Sequence, residues 1–328
     1  MSNRILYLLR IFQAYLGGGK SQLSFWHETP MLNEGAFVSG SNQFYMSFRA
    51  KAMYQGSFDA VGIPMLDYRG VIGRQYNPIA IAQYGLGCWN LAEQGERKDD
   101  YRKKALLVAD WLADHLEVNS GGVPVWMHHF DWEYYKTLKA PWYSGLAQGQ
   151  GVALLVRAWR YSGDQKYLEA ADRAFKSLVT PINEGGCLFV DGNGDWWIEE
   201  YITEPSTHIL NGFIWALWGV FDYAAVEQSA FAKEAAQLWS RGCSTVAKNL
   251  DRFDSGYWSL YDLSPTSIRN LASPFYHKLH LVQLDVMRRL TGHPEFERVL
   301  ERWARYQQTP LCRRRALVGK AIFKLLYF

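Results

Sequence analysis

At its centre the chain reads Trp196-Trp-Ile-Glu-Glu-Tyr-Ile-Thr-Glu-Pro-Ser-Thr-His-Ile-Leu-Asn-Gly-Phe213, a polar loop that leads into an apolar helical segment. The loop places two carboxylates and a phenol directly before a helix that we expect to begin near His208. Ser206 or Thr207 is suited to cap this helix, because a hydroxyl oxygen there accepts a free backbone N–H. The two carboxylates are adjacent, so one should face a cleft and the other should face away. Such a loop suits proton-transfer groups.

Short glycine motifs recur at a nearly fixed spacing on either side of this loop. Gly85, Gly149 and Gly212 each lie early in an apolar segment, 64 and 63 residues apart, and a fourth copy begins near Tyr276. A repeated unit of helix, helix and short hairpin is typical of a helical-hairpin array. The predicted helices are Ile79–Glu93, Asp99–Leu116, Gly145–Tyr161, Gln165–Val179, His208–Ala225, Phe231–Leu250, Tyr276–Leu290 and Glu295–Gln307.

The helices of each pair differ in character, and this difference predicts the fold class. The first helix is apolar nearly all round and should be inner, whereas the second is charged on one face and should be outer. Four such pairs predict a mainly α protein, an incomplete (α/α) toroid of four helical hairpins with short β-hairpins. Residues 1–70 should form an N-terminal helix and an extended segment, residues 71–308 the toroid with its site, and residues 309–328 a basic tail.

The composition limits the classes of partner. Apolar residues make up 48% of the chain, and the formal net charge is +3. The tail Pro310–Phe328 holds five basic residues and no acid, so the rest of the chain is slightly acidic. A polyanion would therefore need a local basic groove, and no nucleic-acid partner is expected. The four cysteines are far apart and should be reduced.

The chain ends bear on localisation. No segment reaches about eighteen consecutive apolar residues, so we expect no transmembrane helix. Met1–Leu16 is basic and apolar, but Arg10 interrupts it and no cleavage site follows, so we expect no signal peptide and a cytoplasmic chain. Both ends suit amphipathic helices. The alternatives left open are peripheral association with the inner face of the membrane and packing on the chain itself or on the partner in a homodimer.

Two motifs could suggest a metal. Asp191-Gly-Asn-Gly-Asp195 begins like a calcium loop, but Trp196 and Ile202 stand where such a loop needs glycine and glutamate. A tight hairpin turn is the better interpretation. His128-His129-Phe-Asp131 lacks a further ligand at a suitable spacing. No metal or other cofactor is therefore predicted.

Over roughly Tyr68–Tyr306 the sequence resembles the D-glucuronyl C5-epimerase family, specifically its C-terminal (α/α) domain. Five blocks in the same order carry this resemblance. They are Tyr76-Asn-Pro-Ile-Ala-Ile-Ala-Gln-Tyr-Gly-Leu86, Trp142-Tyr-Ser-Gly-Leu-Ala-Gln-Gly-Gln150, Glu199-Glu-Tyr201 with Leu210-Asn-Gly-Phe213, Tyr261-Asp-Leu263, and Asn270-Leu-Ala272 with Tyr276, His277 and His280.

The resemblance implies an isomerase that inverts C5 of D-glucuronate to L-iduronate in an acidic polysaccharide of the heparosan or heparan type. The family's acid–base residues fall on Glu200 and Tyr276, its supporting tyrosines fall on Tyr201 and Tyr261, and Asn211 matches a substrate-contacting asparagine. Two rival functions stay open. One is a polysaccharide lyase, which begins with the same proton abstraction, and the other is a non-catalytic toroid that only binds an acidic polysaccharide.

Removal of the C5 proton builds negative charge on an already anionic uronate, so cationic or hydrogen-bonding donors are needed. No metal or nicotinamide is required for this chemistry. Family members typically carry arginine after the Tyr-Asp-Leu and Asn-Leu-Ala blocks, where this chain has Ser264 and Ser273, and Arg269 is the nearest basic replacement. The further substrate-binding residues that we predict are Arg74, Gln75, Tyr76, Arg269, His277 and His280.

Overall fold

The computed structural model describes residues 25–26, 28–68 and 70–327. The predicted N-terminal helix Met1–Leu16 lies outside the described residues, as does Arg69. The predicted mainly α class is confirmed, and each of the eight predicted helices is found with its ends within two residues of the expected positions. The α-helices of the described part of the chain are α1 Arg49–Ala52, α2 Pro78–Glu93, α3 Lys98–Asp114, α4 Gly145–Ser162, α5 Gln165–Val179, α6 Leu210–Ala224, α7 Ala232–Asn249, α8 Pro274–Thr291, α9 Pro294–Gln308 and α10 Pro310–Tyr327.

Short antiparallel strands connect the helices. β1, β2 and β3 form a three-stranded sheet, and the pairs β4–β5, β6–β7 and β8–β9 are two-stranded. The part of residues 1–70 that we expected to be extended also contains a 3-10 turn at Glu34–Phe37 and the short helix α1. The strands are β1 Ser57–Phe58, β2 Pro64–Asp67, β3 Arg74–Gln75, β4 Glu117–Val118, β5 Pro124–Val125, β6 Met127–His128, β7 Trp142–Tyr143, β8 Leu188–Val190 and β9 Trp196–Ile198.

The chain divides into two compact units. The larger unit comprises Leu32–His208 and Gly212–Val246. The smaller unit comprises Ile209–Asn211, Ala247–Phe328 and the described residues up to Met31. The predicted central domain, residues 71–308, therefore contains residues of both units, and the toroid stays a prediction.

Buried helices form the core of the larger unit, as the sequence predicted for the first member of each pair. Every residue of α2 from Pro78 to Ala92 is buried, and so is every residue of α4 from Gly145 to Ala158. Gly149 is one of the repeated glycines, and helix packing requires it. A Cβ at this position would overlap the Cα of Ala216 in α6. The backbones of α4 and α6 therefore touch directly at this crossing.

Within the larger unit, a buried ion pair connects α4 and α6 with the segment that precedes α1. The side chains of Arg157 in α4 and Asp222 in α6 are 2% and 3% exposed, and Arg157 Nη1 lies 2.5 Å from Asp222 Oδ2. Tyr45 donates its hydroxyl to Asp222 Oδ1 at 2.7 Å, and Arg157 Nη2 donates to the Gln43 carbonyl at 3.1 Å. Burial, followed by the charge of Asp222, raises the pKa of Tyr45. Two helices and the segment before α1 thus share one closed polar cluster.

In the smaller unit, α8 packs against α9, and α9 packs against α10. Only one side of α8 is buried, so it departs from the all-round burial expected of a first helix. The predicted C-terminal helix exists as α10. Among the described helices, none is both long enough and apolar enough to cross a membrane.

Candidate functional site

The Glu199–Tyr201 segment follows β9 in the larger unit, and its backbone is held on both sides. Glu199 N donates to the Cys187 carbonyl at 2.9 Å, and Gly145 N donates to the Glu199 carbonyl at 3.0 Å. Gly145 must be a glycine here, because a Cβ at its position would overlap the Glu199 carbonyl oxygen. The β8–β9 hairpin and the start of α4 therefore position the segment.

The turn of that hairpin is the tight turn that the sequence predicted. Asp191 Oδ1 accepts hydrogen bonds from Asn193 N at 2.8 Å and from Asp195 N at 3.0 Å. The Asp191 carboxylate thus closes the turn by accepting backbone N–H groups of its own loop.

Glu199 is a structural carboxylate. It is 1% exposed and accepts from both the backbone and the ring of His208, with Oε2 3.1 Å from N and Oε1 2.5 Å from Nδ1. His208 adopts a left-handed φ of 51° and stacks on Trp197 with ring centroids 4.2 Å apart. The predicted cap from Ser206 or Thr207 is wrong. Both hydroxyls are buried without a hydrogen-bond partner among the described residues, and Glu199 instead accepts the backbone N–H just before α6.

Glu200 is the other carboxylate of the pair, and its side chain lies against the first turn of α6. It is 4% exposed, and a Cβ on Gly212 would overlap its Oε2 atom. The N-terminal turn of a helix presents unpaired N–H groups and the positive end of the helix dipole, which favour a carboxylate. The repeat glycine at position 212 is therefore what allows Glu200 to occupy this place.

Tyr201 belongs to a buried aromatic cluster. Its ring makes edge contacts with Tyr134 at 4.8 Å and with Trp142 at 5.6 Å between centroids. Trp142 stacks on His128 at 3.8 Å. Burial lowers the pKa of His128 to about 3, so its ring is neutral at physiological pH. His129 instead pairs with Glu117 at the surface.

Arg74, Gln75 and Tyr76 lie in and directly after β3 in the larger unit. Arg74 is exposed, whereas Gln75 Nε2 donates to the Ile72 carbonyl at 2.7 Å. Tyr76 donates its hydroxyl to Asp59 Oδ2 at 2.8 Å. Two of the three side chains therefore have protein partners, and their role toward a substrate stays a prediction.

The smaller unit brings two predicted tyrosines together. The rings of Tyr261 and Tyr276 meet edge to face with centroids 4.7 Å apart. Tyr276 lies in the first turn of α8, where its backbone N–H donates to the capping Ser273 hydroxyl at 3.3 Å. The Tyr261 backbone donates to the Asn270 carbonyl at 2.7 Å and accepts from Leu210 N at 3.2 Å. Residues from two separate sequence motifs thus form one tyrosine pair.

Asn211, the predicted substrate-contacting asparagine, is 2% exposed. Its backbone carbonyl accepts from Gln283 Nε2 of α8 at 2.8 Å. Within the smaller unit, α8 therefore positions both this residue and Tyr276.

The structure places His277 and His280 in the core, and the substrate-binding role that we predicted for them stays a prediction. Both are fully buried, and the Ser259 hydroxyl lies 2.8 Å and 2.9 Å from their Nδ1 atoms. The His277 ring stacks on Trp258 at 3.7 Å, and its Nε2 donates to the Trp303 carbonyl at 3.1 Å. Burial lowers the pKa of His277 to about 4 and that of His280 well below its ordinary value. Both rings are therefore neutral packing groups.

Arg269, the cation that the sequence suggested, is exposed, and its Nη1 donates to the Asp254 carbonyl at 3.4 Å. Its role toward a substrate stays a prediction. A different cation, Lys320 of α10, lies beside the tyrosine pair, with its Nζ 5.7 Å from the Tyr261 ring centroid and 2.7 Å from Asn270 Oδ1. The sequence carried no local signal for this position, because Lys320 is one of several basic residues in an amphipathic tail.

Comparison with known proteins identifies the class. Residues 120–305 match the family model for the C-terminal part of D-glucuronyl C5-epimerases. This match covers more than half of the chain, and the chain therefore belongs to the D-glucuronyl C5-epimerase family.

Two relatives illustrate how far the similarity extends. A D-glucuronyl C5-epimerase of Caenorhabditis elegans is 30% identical over 225 residues, which is 64% of this chain and 36% of that protein. An uncharacterised protein of Methanocaldococcus jannaschii is 23% identical over 292 residues, which is 82% of this chain and 92% of that protein. The chain thus spans about a third of the nematode enzyme and nearly all of the archaeal protein.

Proposed function

We propose that this protein is a polysaccharide glucuronate 5-epimerase, which converts D-glucuronate to L-iduronate within a heparosan-like or heparan-like polymer. The observation that carries the proposal is the contact between Tyr261 and Tyr276, two motif residues from separate parts of the chain. Family membership supports the same chemistry. We further propose that the helical hairpins form an incomplete (α/α) toroid.

In this proposal Glu200 and Tyr276 are the acid–base residues. C5 of a glucuronate carries a proton α to the carboxylate, and inversion requires its removal from one face and its replacement on the other. A buried carboxylate and a phenol can each serve, and a positioned proton-transfer group contributes about 10²–10⁴-fold to the rate. Tyr201, Tyr261 and Asn211 would donate hydrogen bonds to the uronate as negative charge develops.

The function is tested by incubating a heparosan-like polymer with the protein in D₂O. Epimerisation predicts deuterium at C5, iduronate after depolymerisation, and an unchanged chain length. Shortened chains with new ultraviolet absorbance from unsaturated uronate would show a lyase instead. Binding without exchange, tested on several glucuronate polymers, would leave only a binding module.

Two substitutions test the assigned roles. Glu200→Gln and Tyr276→Phe preserve shape but remove the proton-transfer group, so each should lower the exchange rate by about 10²-fold or more. Binding of the polymer should persist in both variants. Full exchange in either variant would contradict the role of that residue.

We also propose that the outer face of α10 binds an anionic lipid surface. Five of its apolar side chains are between 44% and 65% exposed, and their spacing places them on one face of the helix. The neighbouring Arg313 and Arg314 are exposed as well. Exposed apolar residues beside arginines suit an interfacial helix. The apolar residues are Leu311, Val318, Ile322, Leu325 and Leu326.

A further inference from the structure

α10 has a lysine on its buried face and apolar residues on its exposed face, the reverse of an ordinary surface helix. Lys320 is 9% exposed, whereas Val318 and Ile322 are 58% and 44% exposed. Lysine is almost never this deeply buried unless its charge has a specific use or partner. The surroundings of Lys320 therefore need an explanation beyond helix packing.

The contacts of Lys320 lead directly to the tyrosine pair. Its Nζ donates to Asn270 Oδ1 at 2.7 Å and lies 5.7 Å from the centroid of the Tyr261 ring. The carbonyl of the same Asn270 accepts the Tyr261 backbone N–H at 2.7 Å. Lys320 thus holds both the ring of Tyr261 and the residue that pairs with its backbone.

Asn270 also connects the lysine to a buried carboxylate. Asn270 Nδ2 donates to Asp262 Oδ2 at 2.7 Å, and the Ser264 hydroxyl donates to Asp262 Oδ1 at 2.6 Å. Asp262 is 2% exposed. The amide orientation of Asn270 is therefore fixed from both sides, with its oxygen toward Lys320 and its nitrogen toward Asp262.

The charged and titratable groups that face Lys320 are Asp262 and Tyr261 from the loop and Lys324 from its own helix. Burial, followed by the charge of Lys324, lowers the pKa of Lys320 to about 7, while Asp262 acts in the opposite direction. Burial also lowers the pKa of Lys324 to about 8. The lysine therefore changes its charge near neutral pH.

We propose that Lys320 is a positioning residue of the reaction centre, whose ammonium orients the Tyr261–Asn270 loop and stabilises negative charge on the tyrosine pair. The inference rests on the proposed epimerase function. When a phenol of the pair gives its proton to C5, its O–H bond breaks and the electron pair remains on the phenolate oxygen. A fixed cation next to the pair stabilises this phenolate until it takes up a proton again.

The ammonium of Lys320 has further N–H groups that can serve in this role. An ammonium carries three N–H groups, and the only hydrogen bond of Lys320 among the described residues is the one to Asn270. A neutral side chain could anchor α10 without the cost of burying a charge. Arg269, the cation that the sequence suggested, is instead engaged with a surface carbonyl.

Lys320→Met tests the proposal, because it keeps most of the side-chain volume and removes the charge. We expect kcat for C5 exchange to fall by about 10²-fold, as for loss of one preorganised stabilising group, with little change in KM. The wild-type rate should decline above about pH 7 as Lys320 loses its proton, and this decline should be absent from Lys320→Met. Arg305→Met, which removes an exposed charge from α9, is the matched control and should behave as wild type.

Lys320→Arg keeps the test decisive if the methionine variant folds poorly. Arginine stays charged at all accessible pH values, so this variant should keep much of kcat and lose the decline above pH 7. If Lys320 had only a structural role, kcat would change only in proportion to the folded fraction of each variant. The pH profile of both variants would then equal that of wild type. That result would overturn the inference while leaving the epimerase proposal intact. A wild-type protein that exchanges no C5 proton in any glucuronate polymer would overturn the epimerase proposal, and the inference with it.

Discussion

Gly212→Ala should displace the Glu200 side chain without changing the residue at position 200. The added methyl group would overlap Glu200 Oε2, and it would lie 2.7 Å from the Glu200 Cβ and 2.8 Å from its Cδ. The methyl group would therefore be too close both to the carboxylate of Glu200 and to its Cβ. Rotation of the carboxylate alone therefore cannot relieve these contacts, and the side chain must move by about 1 Å or more. A displacement of this size at a catalytic group costs about 10²-fold in rate.

Stability should respond far less than activity. Alanine is favoured over glycine inside a helix by about 1 kcal/mol, which offsets part of the strain of the new contact. We therefore expect Gly212→Ala to exchange C5 protons about 10²-fold more slowly than wild type, at a melting temperature within a few degrees of it. The assay is deuterium incorporation at C5 in D₂O, with thermal unfolding followed in parallel.

Two comparisons make the result interpretable. Gly192→Ala is the matched control, because its new methyl group would have no atom within 4 Å. In a Glu200→Ala background the overlaps with Oε2 and Cδ disappear, so Gly212→Ala should destabilise this background less than it destabilises wild type. Wild-type exchange by a well-folded Gly212→Ala protein would refute the assignment of Glu200 as a positioned acid–base group.

Three further predictions concern stability and surface binding. Asp222→Asn should lower the free energy of unfolding by about 3–5 kcal/mol in urea titrations, since it leaves Arg157 charged and buried, whereas Asp131→Asn at an exposed pair should change little. The pKa of Lys320 is about 7 in the folded chain and about 10.4 in the unfolded chain. At pH values between these two, the unfolded chain therefore binds more protons than the folded chain. The stability of wild type relative to Lys320→Met should therefore rise from pH 7 to pH 10, and a pH-independent difference would show an unshifted lysine. Replacing Val318 and Ile322 by serine should reduce sedimentation with anionic liposomes, unlike Val118→Ser, and equal partitioning would exclude α10 as the contact.

The sequence predicted the helices well because their signals are local. Gln165–Val179 was predicted with both of its ends correct, since Asp164 caps its start and its apolar residues keep a helical period. The turn at Asp191 was recognised for the same reason, because its hydrogen bonds lie within five residues.

The failures involve contacts between distant parts of the chain. The cap before α6 was assigned to Ser206 or Thr207, but the carboxylate that accepts the backbone N–H comes from Glu199. The surroundings of His277 and His280 were not predicted, since nothing in their own segment shows that Ser259 and two tryptophans enclose them. The burial of Lys320 was not predicted either, because its partner Asn270 lies fifty residues away in the sequence. A local pattern gives a residue's chemistry, whereas its neighbours depend on the tertiary fold.

The position of Lys320 on α10 affects how fragments of this protein should be chosen. The family match ends at residue 305, inside α9, so a fragment trimmed to the matched residues would lack α10 entirely. It would retain Glu200, Tyr261 and Tyr276 but lose the ammonium that faces Tyr261. The N-terminal limit of the match at residue 120 would also remove Tyr45, a partner of the Arg157–Asp222 pair. Expression of the matched segment alone would therefore lose a group that the proposed reaction uses, although Glu200, Tyr261 and Tyr276 were all present.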